Sequence, residues 1–436
     1  MRWLALSCLL MSGLAACMTA PDAPATGAPP AVTEVAPAES LPTRQAAPVH
    51  ANTPLGIALR QTLLEGAFFQ SAAASNALQA ATIAEARAAW RPSLSAGIDA
   101  GISTASDPDL VPTLRLSQRL YDGGVSANRL AAAEIRNLKT RAETRTQMGE
   151  RALTAIRAWE ELYLARALLT IAQATDARLA AVKAQTEMRL EAGVGRNADA
   201  LRVTSRRAEA ASLRASAEGR VRAARAQVAE LFAAAVVSGQ IPAAPSAIGD
   251  IDTNPVILAL RAEERAARRD QAAVAAGRLP TVFLDVSAQA PPQSDPSVGA
   301  GLRLGYEFGT NGRQTAALAS AAASIAQAVA TRELAESDLR RALANARDRQ
   351  GILAAELTAA RTAARTAQAA LDDAEAQFSA GRADILDLLE LGRDVDRTAA
   401  RAVELASDAR VAGFVVLYLT GELLDVFGIC PEGCPA

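Results

Sequence analysis

The sequence predicts a mainly α-helical chain with a small membrane-crossing β part, built as a duplicated unit of helix, β-hairpin and long helical hairpin. Three observations carry that reading. Alanine-rich tracts run far without proline, and between Ser126 and Glu191 the only glycine is Gly149. Four short segments alternate apolar and polar residues with the period of two that a strand requires. Landmarks of the first half return in the second at one constant offset, 188 residues.

Half of the 436 residues are hydrophobic but only 3% are aromatic, so burial has to come from many thin contacts between helices. The 45 basic and 47 acidic residues are spread along the chain with no basic patch, which argues against a nucleic-acid partner.

The elements follow in order. Residues 1–16, within MRWLALSCLLMSGLAAC, form a signal peptide: Arg2 supplies the positive end, and the apolar stretch is too short to span a bilayer. Leu14-Ala15-Ala16-Cys17 resembles a bacterial lipobox, so Cys17 is expected to carry lipid and become the mature N-terminus. Met18, in place of an aspartate, favours the outer membrane by resemblance to sorting signals. Residues 17–53, rich in Pro, Ala and Thr, are expected to be a lipid-anchored flexible tether. Residues 54–237 make the first unit, 238–253 a linker, 254–424 the second unit and 425–436 a tail. Cys430 and Cys434 in that tail can close a small disulfide in an oxidising compartment. A metal site is not expected, because the only histidine, His50, lies far off in the tether.

The offset relates Pro92 to Pro280, Gly124 to Gly312, Gly193 to Gly381 and Asp199 to Asp387, and sets Gly66 opposite Asn254. Each unit places a hairpin after its proline, at about 93–121 and 281–308. Leu94, Ala96, Ile98, Ala100 and Ile102 share one face of the first strand, and Leu114, Leu116 and Leu120 oppose Arg115, Ser117 and Arg119 on its return. Val282, Leu284, Val286 and Ala288, then Val298, Ala300, Leu302, Leu304, Tyr306 and Phe308, repeat the pattern. The segments STASDPDLVP and PPQSDPS read as polar connecting loops. About ten residues is the length a tilted strand needs to cross a bilayer, with its apolar face to lipid. Four strands cannot close a barrel, and open edges in lipid leave backbone groups unpaired, so two or three chains must share one. The proline-free tracts then form two long antiparallel helical hairpins that turn at Gly193 and Gly381, far from the strands.

Taken together, Arg91-Pro92, Leu279-Pro280, Asn254-Pro255, the run QRLYDGG at 118–124 and the two hairpin tips resemble the TolC family of outer-membrane export channels. The resemblance covers nearly all of the chain beyond the tether. It implies a homotrimer whose twelve strands form one barrel in outer-membrane lipid and whose twelve long helices form an α-helical barrel tunnel across the periplasm. It also implies docking to a periplasmic adaptor (membrane fusion) protein and an inner-membrane ABC or proton-driven pump. Gly193, Gly195, Arg196, Asn197, Gly381 and Arg382 are then the adaptor-contact tips. The family closes its periplasmic end with acids six and nine residues beyond the second tip glycine, here Asp387 and Glu390, with Arg382 and Asp384 as supports. The second acid is Glu where Asp is more familiar, and the tip arginine stands one place early. On residue type alone, Asp387 and Glu390 read equally as solvated acids near a helix N-terminus.

The expected function is a passive exit duct of a tripartite export system, neither an enzyme nor a cofactor binder: no nucleophile–histidine pair, metal cluster or phosphate-cradling loop is visible in the sequence. The tip segments resemble the branch serving type I protein secretion more than the multidrug efflux branch, which is the alternative. A periplasmic adaptor would carry one helical hairpin rather than two matched units with strands, and a structural coiled-coil lipoprotein would not need the strands.

Overall fold

The computed structural model describes residues 46–103, 106–232, 240–290, 295–308 and 311–429, all within one compact unit that begins at Ser40. Cys17, Cys430 and Cys434, with the lipidation and disulfide expected of them, lie outside the described residues.

The chain opens with α1 (Pro54–Glu65), whose first turn is closed by the Thr53 hydroxyl accepting the Gly56 N–H, with Pro54 where a helix needs no donor. After Gly66 comes α2 (Ala67–Ala88), then strands β1 (Ser93–Ser103) and β2 (Ser106–Tyr121). The long helix α3 (Val125–Glu191) and its return α4 (Asn197–Phe232) complete the first half. The second half repeats the order with α5 (Pro255–Ala276), β3 (Thr281–Gln289), β4 (Ser297–Gly305), α6 (Arg313–Ser379) and α7 (Ile385–Thr420). A single turn, α8 (Leu423–Val426), follows. Helices α3 and α6 have 67 residues each, α4 and α7 have 36 each, and the members of each pair start and stop 188 residues apart.

The four strands form one antiparallel sheet in the order β1-β2-β3-β4, so the two hairpins are joined through β2 and β3. Leu94, Leu116, Val286 and Ala300 line up across it, as do Ala96, Leu114, Ala288 and Val298. A bulge at Leu120 shifts the β2–β3 register between Arg119 and Tyr121 and puts Tyr121 opposite Val282.

Three expectations need correction. The segment taken as the first connecting loop is mostly strand: β2 begins at Ser106 and carries Pro112 paired with Ile98. Here β2 outruns β3, whose last partner is Thr113, and the Pro112 carbonyl accepts the Ala290 N–H, so the missing proline donor breaks no β2–β3 ladder bond. The second return strand stops at Gly305, short of Tyr306 and Phe308, which pack edge to face at 4.6 Å. The end of the tether is not loose but packs on the start of the tail. His50 donates its N–H to the Val426 carbonyl and sits beside Phe414 and Phe427, while Leu424, Phe427 and Ile429 are buried.

That cluster belongs to the main core, where Leu55 and Leu59 of α1, Ile156, Trp159 and Leu162 of α3, Phe232 of α4 and Phe414 and Leu417 of α7 meet. Trp159 lies edge-on to Phe232 at 5.6 Å. At about 1.5 Å per residue, this core sits roughly 50 Å along α3 from the sheet.

Candidate functional site

The two tips are built by the same local chemistry. At the end of α3, Gly193 adopts φ +75°, and the Val194 and Gly195 N–H groups return to the Arg189 carbonyl at 3.0 and 2.9 Å. At the end of α6, Gly381 adopts φ +73° and the Arg382 N–H returns to the Gln377 carbonyl at 2.8 Å. Such a left-handed residue satisfies the orphan carbonyls of a helix end, and glycine takes it without side-chain strain.

Sequence reasoning missed what holds the tips together. The Arg189 guanidinium lies over the Phe378 ring, 4.2 Å from its centroid, and donates to the Phe378 carbonyl. Beneath it, Val182 and Val203 of the first hairpin pack with Leu371, Phe378, Ile385 and Leu388 of the second. One step further along, Asp396 of α7 accepts from Arg178 at 2.6 Å and from the Thr175 hydroxyl at 2.7 Å, both on α3. Glu209 of α4 reaches Arg393 of α7 at 3.5 Å, and its hydrogen bond to Arg206 holds its carboxyl below the ordinary range. No spacing signal marks these partners, since they meet only through tertiary packing.

The candidate gate residues all stand on the second tip. Asp384 accepts the Leu386 N–H at 3.3 Å and caps α7, a structural task that occupies it. Asp387 lies in the first turn of α7, and both it and Glu390 are exposed, as is the Arg382 side chain. Within one chain the four are not joined by any ion pair among the described residues. The first tip differs in character. Gly193, Arg196 and Asn197 are exposed there with Val194, at 78%, and Met188 and Leu201, which makes it an apolar knob beside a charged one. Asp199 is the third residue of α4, bonded to Arg202 at 3.3 Å, rather than its cap. Gly195 is half-buried, and a Cβ there would meet the Leu190 nitrogen at 2.8 Å.

At the opposite end, the sheet has two unlike faces. Leu94, Ile98, Leu116, Val298, Leu302 and Leu304 are exposed on one side. Successive rows on the other hold Arg119, Phe283 and Arg303, then Ser117, Asp285 and Gly301, then Ser95, Arg115, Ser287 and Gly299. Asp122 fixes the exit from β2 by accepting the Gly124 N–H at 3.0 Å and the Ser126 N–H at 2.8 Å. Burial raises its carboxyl, but these bonds, the Ser126 hydroxyl and Arg119 together hold it below the ordinary range. Among the described residues no helix is long and apolar enough to cross a membrane.

Comparison with known proteins places this geometry. Residues 251–413 match the family model described as outer membrane efflux protein. The outer membrane efflux protein BepC of Brucella suis is 26% identical over 392 residues, covering 84% of this chain and 85% of its own length. A membrane protein from Pseudomonas aeruginosa superposes with a TM-score of 0.78 at 19% identity, over 89% of this chain and 93% of that one. The outer membrane protein VceC of Vibrio cholerae gives 0.75 at 18% identity, over 84% and 96%. The likeness to these structures is one of fold.

Proposed function

We propose that the chain is a TolC-like channel of the outer membrane efflux protein family, and that three copies assemble into a single passive exit duct. One observation carries the assembly: among the described residues both outer edges of the sheet, β1 and β4, lack a neighbour, while the apolar face between them is exposed. Hydrocarbon does not tolerate unpaired backbone groups, at several kcal/mol each, so the edges must pair with those of further copies. Three chains supply twelve strands. The helices agree, since α2 has no buried residue and α6 buries only six of its 67 among the described residues, whereas α3 buries 22. Such flanks need a partner of the same kind. The polar sheet face then lines a lumen, the long hairpins continue it through the periplasm, and lipid on Cys17 adds a second anchor.

Transport needs no chemistry from this chain. Energy comes from an inner-membrane pump, ABC-type or proton-driven, reached through a periplasmic adaptor at the tips. The apolar first tip and charged second tip offer that adaptor two distinct contacts. Asp387 and Glu390, repeated by threefold symmetry, form the periplasmic gate and favour cations there.

The cargo is a large secreted protein handled by type I secretion; the efflux naming of the Brucella relative favours small molecules as the second reading. Comparing culture supernatants of the parent strain and a strain lacking this chain separates them. Loss of one or a few large proteins, restored by complementation, supports secretion. An unchanged supernatant with new drug or dye sensitivity supports efflux, and no change in either overturns the duct.

A further inference from the structure

The polar face of the sheet carries a charge pattern that an export duct does not by itself require. In one ladder row Phe283 lies between two guanidinium groups, with Arg119 at 5.5 Å and Arg303 at 4.7 Å from its ring centroid. Each arginine is also held in place at its edge. Arg303 grips Asp285 through Nε at 2.7 Å and Nη2 at 3.4 Å, and Arg119 donates through Nη1 to Ser126 at 2.7 Å and to Asp122 at 3.3 Å. Two rows further along, Arg115 projects from the same face, exposed and with no hydrogen-bond partner for its guanidinium among the described residues.

Around these groups the face is low. Gly299 and Gly301 stand beside them on β4, and a Cβ at either would meet nothing within 4 Å. The arginines are therefore the tallest side chains at their level, above a glycine floor. At that level three guanidinium groups face one carboxylate, Asp285, which Arg303 already neutralises; Asp99 is two polar positions beyond, toward the loop end of β1. A guanidinium stacked on an aromatic ring can still offer a carboxylate or phosphate the in-plane donors that its neighbours leave unused, and the stacking limits the entropy lost on binding.

We infer that Arg119 and Arg303, ordered on Phe283, form with Arg115 an anion-selecting collar in the lumen of the barrel, which recognises solutes bearing carboxylate or phosphate groups. The inference rests on the trimeric duct proposed above, where threefold symmetry multiplies the collar to nine guanidinium groups. Rings of arginine or lysine are a general device of anion-conducting pores. The duct then has two filters of opposite sign in series, acids at the periplasmic tip and arginines at the membrane, and cargo must satisfy both.

The test is the reversal potential of full-length protein in planar bilayers under a potassium chloride gradient. Asp387→Asn and Glu390→Gln are present throughout, so that the acids at the tip do not mask the collar. Arg115→Ser is expected to shift selectivity toward cations, Asp285→Asn toward anions, and Arg115→Lys not at all. Opposite shifts from two neighbouring residues of the polar face are not what a general loss of structure produces. Conducting pores with one common reversal potential in all three variants overturn the collar while leaving the duct intact. Protein that forms no pores even without these three substitutions fails at the duct itself and removes the collar with it.

Discussion

Glu160, on the first long helix, is only 1% exposed and meets Arg410, on the last, through the arginine Nε at 3.0 Å. The two residues are 250 positions apart, and with Tyr163 beside the guanidinium at 5.3 Å they clamp the first half of the chain to the second. Desolvating two charges offsets much of their attraction, so the pair specifies alignment more than it stabilises.

Removing one partner is the costly change. Arg410→Met strands a buried carboxylate and is expected to lower stability by about 3–5 kcal/mol, whereas Glu160→Met combined with Arg410→Met recovers most of the loss. Burial pushes the Glu160 carboxyl above its ordinary value of 4.5, against the downward pull of Arg410. A carboxyl raised on folding holds its proton more tightly in the folded state. Its contribution to stability is therefore full below the ordinary value and lost as the pH rises through the raised one. With Arg410 gone that rise is larger, so the Arg410→Met deficit in thermal melts should be smaller near about pH 5 than near about pH 8. A deficit that grows on acidification contradicts this account of the pair.

The left-handed glycines differ in what surrounds them. Gly123, at φ +67°, leaves no room, since a Cβ would lie 2.7 Å from the Leu279 Cβ and 2.8 Å from the Ala276 carbonyl oxygen. Gly381, at φ +73°, has nothing within 4 Å. Both pay roughly 1–2 kcal/mol of backbone strain on substitution, but only Gly123→Ala must also push α5 away from the β2–α3 turn. Melting temperatures should rank wild type above Gly381→Ala and Gly381→Ala above Gly123→Ala. Equal losses mean that the contact with Leu279 relaxes freely.

The contrast between those glycines also marks what was legible in advance. Helix ends at Gly193 and Gly381 are local events, governed by one residue's backbone freedom after a long alanine-rich tract, and the sequence displays them. The alternating faces of β3 and β4 are equally local. Strand β2 was legible only in part, because Asp and Pro at 107–112 favour turns and only the pairing with β1 overrides them. The burial of the start of the tail was not legible, because six residues, LLDVFG at 423–428, give too short an apolar run to declare a core contact. Arg189 on Phe378 and Glu160 with Arg410 could not be read at all. Arginine and glutamate abound in this chain, and nothing short of the packed helices selects which of them meet.

The two sheet faces predict opposite tolerance to charge. Val298 and Leu302 are 76% and 71% exposed on the apolar side of β4. Arginine at either position should cost about 2–4 kcal/mol if it lies near the bilayer midplane. Gly299→Ser, between them on the polar side, should cost little. Folding into lipid vesicles, followed by the heat sensitivity of the oligomer on gels, measures both. Arginine at Val298 and Leu302 folding as well as Gly299→Ser would place that face away from lipid.

At the second tip, neighbouring acids separate by role. Asp384 has its carboxylate on the Leu386 N–H, while Asp387 and Glu390 extend from the same helix end into solvent. Loss of a cap costs about 0.5–2 kcal/mol, so Asp384→Ala should lower stability and leave conduction alone. Asp387→Asn with Glu390→Gln breaks no hydrogen bond or ion pair among the described residues and should change stability little. In the proposed trimer, however, it removes six carboxylates from the proposed gate, where polyvalent cations would bind most strongly to a ring of acids. Block of single-channel current by a trivalent cation should therefore weaken in the double variant and persist in Asp384→Ala. The reverse pattern would move the gate onto Asp384, and equal block in both would leave Asp387 and Glu390 as the solvated helix residues that their spacing alone allows.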